Sequence, residues 1–121
     1  MLNFGSGNKV FLVAGPTDMR KSFDTLAAVV RTVIDSQPLS GHLFVFCNRK
    51  RDRLKALIWE PSGFWLLAKR LEKGTFSWPD ASVSKVQYSA AELAALLEGL
   101  ELSGRRRKRF KGLNKAAKKV Q

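Results

Sequence analysis

The sequence predicts an α+β fold: a mixed, mainly antiparallel sheet with two helices and a disordered basic C-terminal tail. Three observations carry this reading. Short apolar runs between residues 9 and 88 are cut by Gly, Pro and Ser turns. Two segments combine a helix start signal with apolar residues spaced by three and four. Beyond residue 102 apolar residues thin out while like charges accumulate. With 45% hydrophobic residues, eight Phe and three Trp, the 121-residue chain can bury one core. Residues 1–102 are expected to form a single globular domain. Residues 103–121 form a basic tail that cannot bury enough surface to offset its ordering entropy.

Taken in order, Lys9–Ala14 reads as a buried strand stopped by Gly15-Pro16. Thr17 or Asp18 is placed to cap a helix, and Met19, Phe23, Leu26, Ala27, Val30, Val33 and Ile34 make one apolar stripe to about residue 36. Leu43–Cys47 is almost wholly apolar, as in a central strand. Arg53–Trp59 follows as a hairpin partner, with Leu54, Ala56 and Ile58 on one face and Lys55, Leu57 and Trp59 on the other. After the Pro61-Ser62-Gly63 turn come strands at Phe64–Leu71 and Thr75–Trp78, then a last short one at Val83–Tyr88. Ser89 and Glu92 form a capping-box pattern ahead of a helix burying Leu93, Leu96, Leu97 and Leu100, with Gly99 helping to end it. The first helix returns the chain so that the first two strands are parallel neighbours; the later strands form an antiparallel meander.

The charge is concentrated. Residues 48–55 hold Arg49, Lys50, Arg51, Arg53 and Lys55 against Asp52, for +4, and residues 101–121 hold nine bases against Glu101, for +8. Together these account for the whole formal charge of +12, so the rest of the molecule is neutral. A neutral body with two cationic appendages is suited to a polyanion, and nucleic acid is the default one. Arg49, Lys50, Arg51, Arg53 and Lys55 lie at an expected hairpin tip, where they can enter a groove or clamp phosphates. Arg105, Arg106, Arg107, Lys108 and Arg109 in the tail supply affinity without sequence preference. A single cysteine, Cys47, leaves no internal disulfide and fits a reducing compartment. The N-terminal residues show no signal-peptide pattern and no apolar run is long enough to span a bilayer, so a cytoplasmic protein without membrane contact is expected.

Catalytic constellations are weak. Asp18, Asp24, Asp52, Glu60, Glu72 and Asp80 are the acids available for a two-metal site, and each has a better reading: Asp18 as a cap, Asp24 and Asp52 as partners of nearby bases, Glu60 and Asp80 at turns, and Glu72 as a surface charge. His42 is alone, Tyr88 reads as packing, and Ser22 reads as a solvated helix residue without an activating base. His42 and Cys47 fall short of a zinc ligand set. No catalytic residue, cofactor or metal site is expected. Trp59, Trp65 and Trp78 are expected in the core rather than as base-stacking platforms.

Three strings carry a resemblance. They are Gly15-Pro16-Thr17-Asp18-Met19-Arg20 with Phe23-Asp24 and Leu26; Ser40-Gly41-His42-Leu43-Phe44-Val45-Phe46; and Trp59-Glu60, Gly63-Phe64-Trp65-Leu66, Lys69-Arg70-Leu71-Glu72, Gly74, Phe76 and Trp78-Pro79. In this order the chain resembles the TnpB accessory proteins of the insertion-sequence-66 class of bacterial transposable elements, over roughly residues 4–100. The basic stretch after Gly104 falls outside the resemblance and reads as peculiar to this chain. The resemblance implies a protein encoded beside a separate transposase and required for transposition, not the strand-transfer enzyme. Its expected partners are DNA, at the element ends or the target, together with the transposase and other accessory proteins, in the bacterial cytoplasm at the nucleoid. Arg20, Lys69 and Arg70 lie in these strings outside the charge clusters. Their role is either structural, such as Arg20 pairing with Asp24 one helical turn on, or a partner or DNA contact. Two other readings stand beside this one: a basic RNA-binding or ribosome-associated protein, and a small metal-dependent nuclease using Asp18 or Glu60.

Overall fold

The computed structural model describes residues 8–99. The expected domain boundary at residues 102 and 103, the basic tail and Leu100 lie outside the described residues. Strand β1 (Val10–Pro16) leads through helix α1 (Phe23–Thr32) and a short 3-10 turn (Pro38–Ser40) to β2 (Leu43–Cys47). Strands β3 (Arg53–Glu60), β4 (Gly63–Arg70) and β5 (Lys85–Tyr88) follow, then helix α2 (Ala90–Leu97). The five strands form one sheet in the order β4-β3-β2-β1-β5, with β1 and β2 parallel and every other pair antiparallel. The βαβ crossover, the β2–β3 and β3–β4 hairpins and the α+β class are therefore as the sequence predicts, but the expected meander stops at β4, and β5 crosses to pair with β1 at the other edge.

Alternation along the strands builds two cores, one on each face of the sheet. On the first face Val13, Phe44, Phe46 and Leu57 meet Leu26, Ala27, Val30 and Ile34, the buried residues of α1 and its C-terminal extension. On the second, Val10, Leu12, Val45, Leu54, Ala56 and Ile58 meet Leu93 and Leu96 of α2 together with Phe76, Trp78 and Tyr88. Strand β2 is buried along its whole length because both faces are covered.

Several local expectations change. Helix α1 starts at Phe23, not after Thr17 or Asp18, because the Asp18 carboxylate is occupied by the Arg20 backbone N–H at 2.9 Å and by its guanidinium at 2.7 Å. Arg20 therefore pairs with Asp18 rather than Asp24, and Met19 packs on the core from a loop. Ser22 is the N-cap instead of an interior helix residue, its N–H donating to Thr25 Oγ1 at 2.8 Å. The helix ends early: Asp35 takes a left-handed φ of 50°, and Val33 is left exposed while Ile34 stays buried. Thr75–Trp78 is not a strand; Phe76 and Trp78 instead plug the second core from an irregular crossing segment. Of the tryptophans expected in the core, Trp78 is buried, Trp59 is half-buried edge-to-face with Phe64, and Trp65 is 45% exposed. The Ser89–Glu92 capping box is formed, with bonds of 3.0 and 2.7 Å.

Strand β1 runs past its expected stop through a bulge. Its register slips between Leu12, opposite Val45, and Pro16, opposite Cys47. Gly15 makes this affordable sterically, with φ at +75° and a Cβ position only 3.0 Å from the Ala81 side chain. Its N–H donates to Pro79 O at 3.0 Å, and Thr17 N–H donates to Cys47 O at 2.7 Å. The bulge thus draws the loop after β1 and the loop before β5 to the end of β2.

Two ionisable groups are buried in these cores. Burial pushes the Cys47 thiol up from 9.0 to about 12 and the Tyr88 phenol up from 10.0 to about 12. A folded-state pKa above the unfolded one stabilises fully below the unfolded value and loses that stability as pH rises. The urea midpoint is expected to fall from about pH 9 upward, and the double substitution Cys47→Ala/Tyr88→Phe should flatten that decline. The Cys47 thiol should also resist thiol reagents until the protein unfolds.

Candidate nucleic-acid interface

The cationic segment Asn48–Asp52 joins β2 to β3, as the sequence predicts, and it is braced from inside. Arg51 N–H donates to Asn48 O at 3.1 Å, closing a turn that Arg51 completes at φ +63°. Asn48 Oδ1 accepts from the N–H groups of Asp52 and Arg53, both at 3.1 Å, while its Nδ2 donates to Asp52 Oδ1 at 2.8 Å. The turn is also tied to the crossing segment: Leu71 N–H donates to Asp52 O at 2.8 Å and Phe76 N–H to Arg51 O at 2.7 Å. On the turn braced in this way, Arg49, Lys50, Arg51 and Arg53 all stand exposed. Arg51 occupies a left-handed conformation in which glycine is the unstrained residue, so the fold carries a local strain to keep that base there.

The loop after β1 faces this turn. Pro16–Met19 and Asn48–Lys50, with Asp52 and Arg53, line an open groove of about 600 Å³. A smaller groove on one side reaches Arg51, Trp78 and Asp80, and another runs past Met19 and Arg53 to Ala68, Lys69 and Arg70. Lys69 and Arg70 arrive by register, since β4 sets Arg70 opposite Arg53 and Lys69 opposite Leu54. A like-charge pair directly across a ladder is unfavourable unless an anion lies over it.

The acids at this end serve as braces. Hydrogen bonds from Arg20 hold the Asp18 carboxyl well below the usual carboxylate range. Asp52 is lowered chiefly by its bond from Asn48, and Asp80 by bonding to Ser82. The Asp18–Arg20 pair is self-neutralising and solvated, so it contributes a fixed wall more than stability. Among the described residues Arg49, Lys50, Arg51 and Arg53 form no ion pair. Also among the described residues, no group of three His, Cys, Asp or Glu side chains is placed to hold a metal ion, and no helix is long and apolar enough to cross a membrane.

The family model described as IS66 Orf2 like protein matches residues 8–109. The chain belongs to that family. Among curated proteins, the uncharacterized protein y4hO of Sinorhizobium fredii is 40% identical over 101 residues, covering 84% of this chain and 88% of that protein. The uncharacterized protein y4jC of the same organism is 31% identical over 117 residues, covering 97% of this chain and 100% of that protein. No solved structure matches the chain. An IS66 Orf2-like protein has an accessory role in transposition by its family. The match runs to residue 109, so Arg105–Arg109 falls inside the family's extent, against the expectation that everything after Gly104 is peculiar to this chain.

In this IS66 Orf2-like chain the site residues named from the sequence divide by employment. Arg49, Lys50, Arg51 and Arg53 are brought together with their charges outward. Lys55 is half-buried, and its Nζ donates to Lys21 O at 2.8 Å, anchoring the start of α1 against β3. Arg20 is held on Asp18 and Arg70 on Glu72 at 3.0 Å. Lys69 Nζ donates to Leu97 O at 2.7 Å, satisfying a C-terminal carbonyl of α2. That bond places the end of α2 beside the rim carrying Lys69 and Arg70, two residues before the described chain ends at Gly99. Arg105–Arg109 lies outside the described residues. The bracing role of Asn48 was missed from the sequence, although Asn ahead of a turn is a known signal for side-chain capture of the following N–H groups.

Proposed function

We propose that this protein is a non-catalytic accessory factor in insertion-sequence transposition that holds DNA on the β2–β3 turn, alone or while bridging it to the separately encoded transposase. The observation that carries the reading is the rigid turn presenting Arg49, Lys50, Arg51 and Arg53 beside Lys69 and Arg70, with every nearby acid turned to bracing. A braced cationic turn gives phosphates a fixed geometry, and the tail bases add further positive charge. Lys69 Nζ, donating to Leu97 O, sets the end of α2 beside the same rim.

Binding to a duplex should be strongly salt-dependent. If about six phosphates are neutralised, raising salt from 50 to 200 mM lowers affinity on the order of a thousandfold. Fluorescence anisotropy with a labelled duplex checks this, with single-stranded RNA as competitor. An affinity that ignores salt would overturn the electrostatic reading. A clear preference for RNA retained through a high-salt wash would transfer the site to the RNA-binding alternative.

A further inference from the structure

The sheet ends on two unlike edges. At one, β5 is four residues long and carries Lys85 and Gln87, the first turned inward to Ser36 Oγ at 2.6 Å. At the other, β4 is eight residues long, Gly63-Phe-Trp-Leu-Leu-Ala-Lys-Arg70, and among the described strands it pairs only with β3. Trp65 is 45% and Leu67 41% exposed there. Soluble proteins shorten, charge or cover such an edge, because its free N–H and C=O groups template another strand. Here one edge is blunted and the other is long and apolar.

We infer that β4 pairs antiparallel with β4 of a second copy of this chain, about a two-fold axis at Leu67. Trp65, Leu67 and Lys69 share the face of their partners Ile58, Ala56 and Leu54, while Phe64, Leu66, Ala68 and Arg70 share the other. Directly opposed residues of an antiparallel pair point to the same face, so a self-pair must centre on a residue. Centring on Leu67 sets Leu67 against its own copy and Trp65 against Lys69 of the second copy. On the other face Phe64 then meets Arg70 of the second copy. Both aromatic residues of the strand so stand across the joint from a basic residue whose head group is held within its own chain, Lys69 on Leu97 O and Arg70 on Glu72, which leaves the aliphatic stems to pack on the rings.

Other registers lack this complementarity. A Leu66-centred pair leaves Lys69 opposite Gly63, and a parallel in-register pair sets Lys69 against Lys69 and Arg70 against Arg70. An interface made from one self-complementary patch closes as a dimer. It joins the two five-stranded sheets and places the two β2–β3 turns at opposite ends of the joint, on the order of 35 Å apart from strand rise and spacing. The inference does not rest on the nucleic-acid reading and is tested without nucleic acid.

The full chain, freed of nucleic acid by nuclease and studied in high salt, should sediment at micromolar concentrations with twice the mass of one chain. Leu67→Glu and Leu67→Lys each set like charges across the axis and should weaken the dimer at least tenfold. An equimolar mixture of the two should recover the dimer, which only self-contact at Leu67 produces. Circular dichroism should show both variants folded, Leu67 being substantially exposed; should either unfold, Trp65→Thr is read in the same way. A wild-type monomer throughout that range would overturn the inference. So would a dimer that no β4 substitution disturbs, or variants whose mixture stays monomeric.

Discussion

Replacing Arg49, Lys50 and Arg53 together with alanine should cost on the order of a hundredfold in duplex affinity at 0.1 M salt and reduce the salt slope by about three. The folded state should be almost unaffected. The three side chains are exposed, none is in an ion pair among the described residues, and the turn is held by Asn48 and by backbone bonds to Leu71 and Phe76. Removing three uncompensated like charges even relieves some repulsion, including that between Arg53 and Arg70 across the β3–β4 ladder. Anisotropy titrations at several salt concentrations, beside urea unfolding of the same variant, separate the two quantities. Deleting residues 104–121 should also weaken binding and lower the slope, again without unfolding residues 8–99. The two changes should differ in kind. The turn variant should lose any preference among DNA shapes or sequences, because the braced turn holds its cations in a fixed geometry. If the turn variant bound duplex as tightly and as steeply as the wild type, the proposed interface would be misplaced.

Much of that interface was legible. The apolar periodicities located β2 and β3 within a residue, so the basic segment between them had to be a hairpin tip. The convergence of Lys69 and Arg70 on that tip was legible in principle as well. A two-residue turn at Pro61-Ser62 fixes the pairing of β3 with β4, and simple counting then sets Arg70 opposite Arg53. The groove wall was harder to read. It depends on whether Asp18 caps a helix or captures Arg20, a choice between two local hydrogen-bonding schemes of similar strength. Sequence spacing favoured the helix because Met19 lies in phase with Phe23 and Leu26. The structure keeps Met19 against the core without the helix, so the same apolar demand is met by a loop. Lys55 illustrates a further limit. Composition groups it with the tip bases, but strand alternation turns its side chain toward Lys21 and the start of α1.

Trp78→Ala should be among the most destabilising single substitutions in the chain. The indole is buried at 7% exposure, and its Nε1–H donates to Val13 O at 3.0 Å across 65 residues of sequence. Truncating a buried tryptophan to alanine typically costs 3–5 kcal/mol. A buried carbonyl left without this donor adds about 1 kcal/mol or more. Against the 5–15 kcal/mol that usually separates folded from unfolded domains, most of the margin would be lost. The sequence placed Trp78 in the core but gave it a strand, and the difference decides where the damage falls. As an irregular segment, residues 71–84 have no ladder to hold them. They are kept on the sheet by Phe76, Trp78 and a few backbone bonds, including Phe76 N–H to Arg51 O and Gly15 N–H to Pro79 O. Loosening Trp78 therefore releases the support under the β2–β3 turn before it opens the α1 face. Hydrogen exchange should show the amides of Gly15 and Phe76 losing protection ahead of those in β2 and β3. Trp78→Phe keeps most of the volume and loses only the hydrogen bond, so it should fall well short of the alanine effect in urea unfolding. Equal losses in the two variants would mean that packing under the turn is not what holds this segment in place.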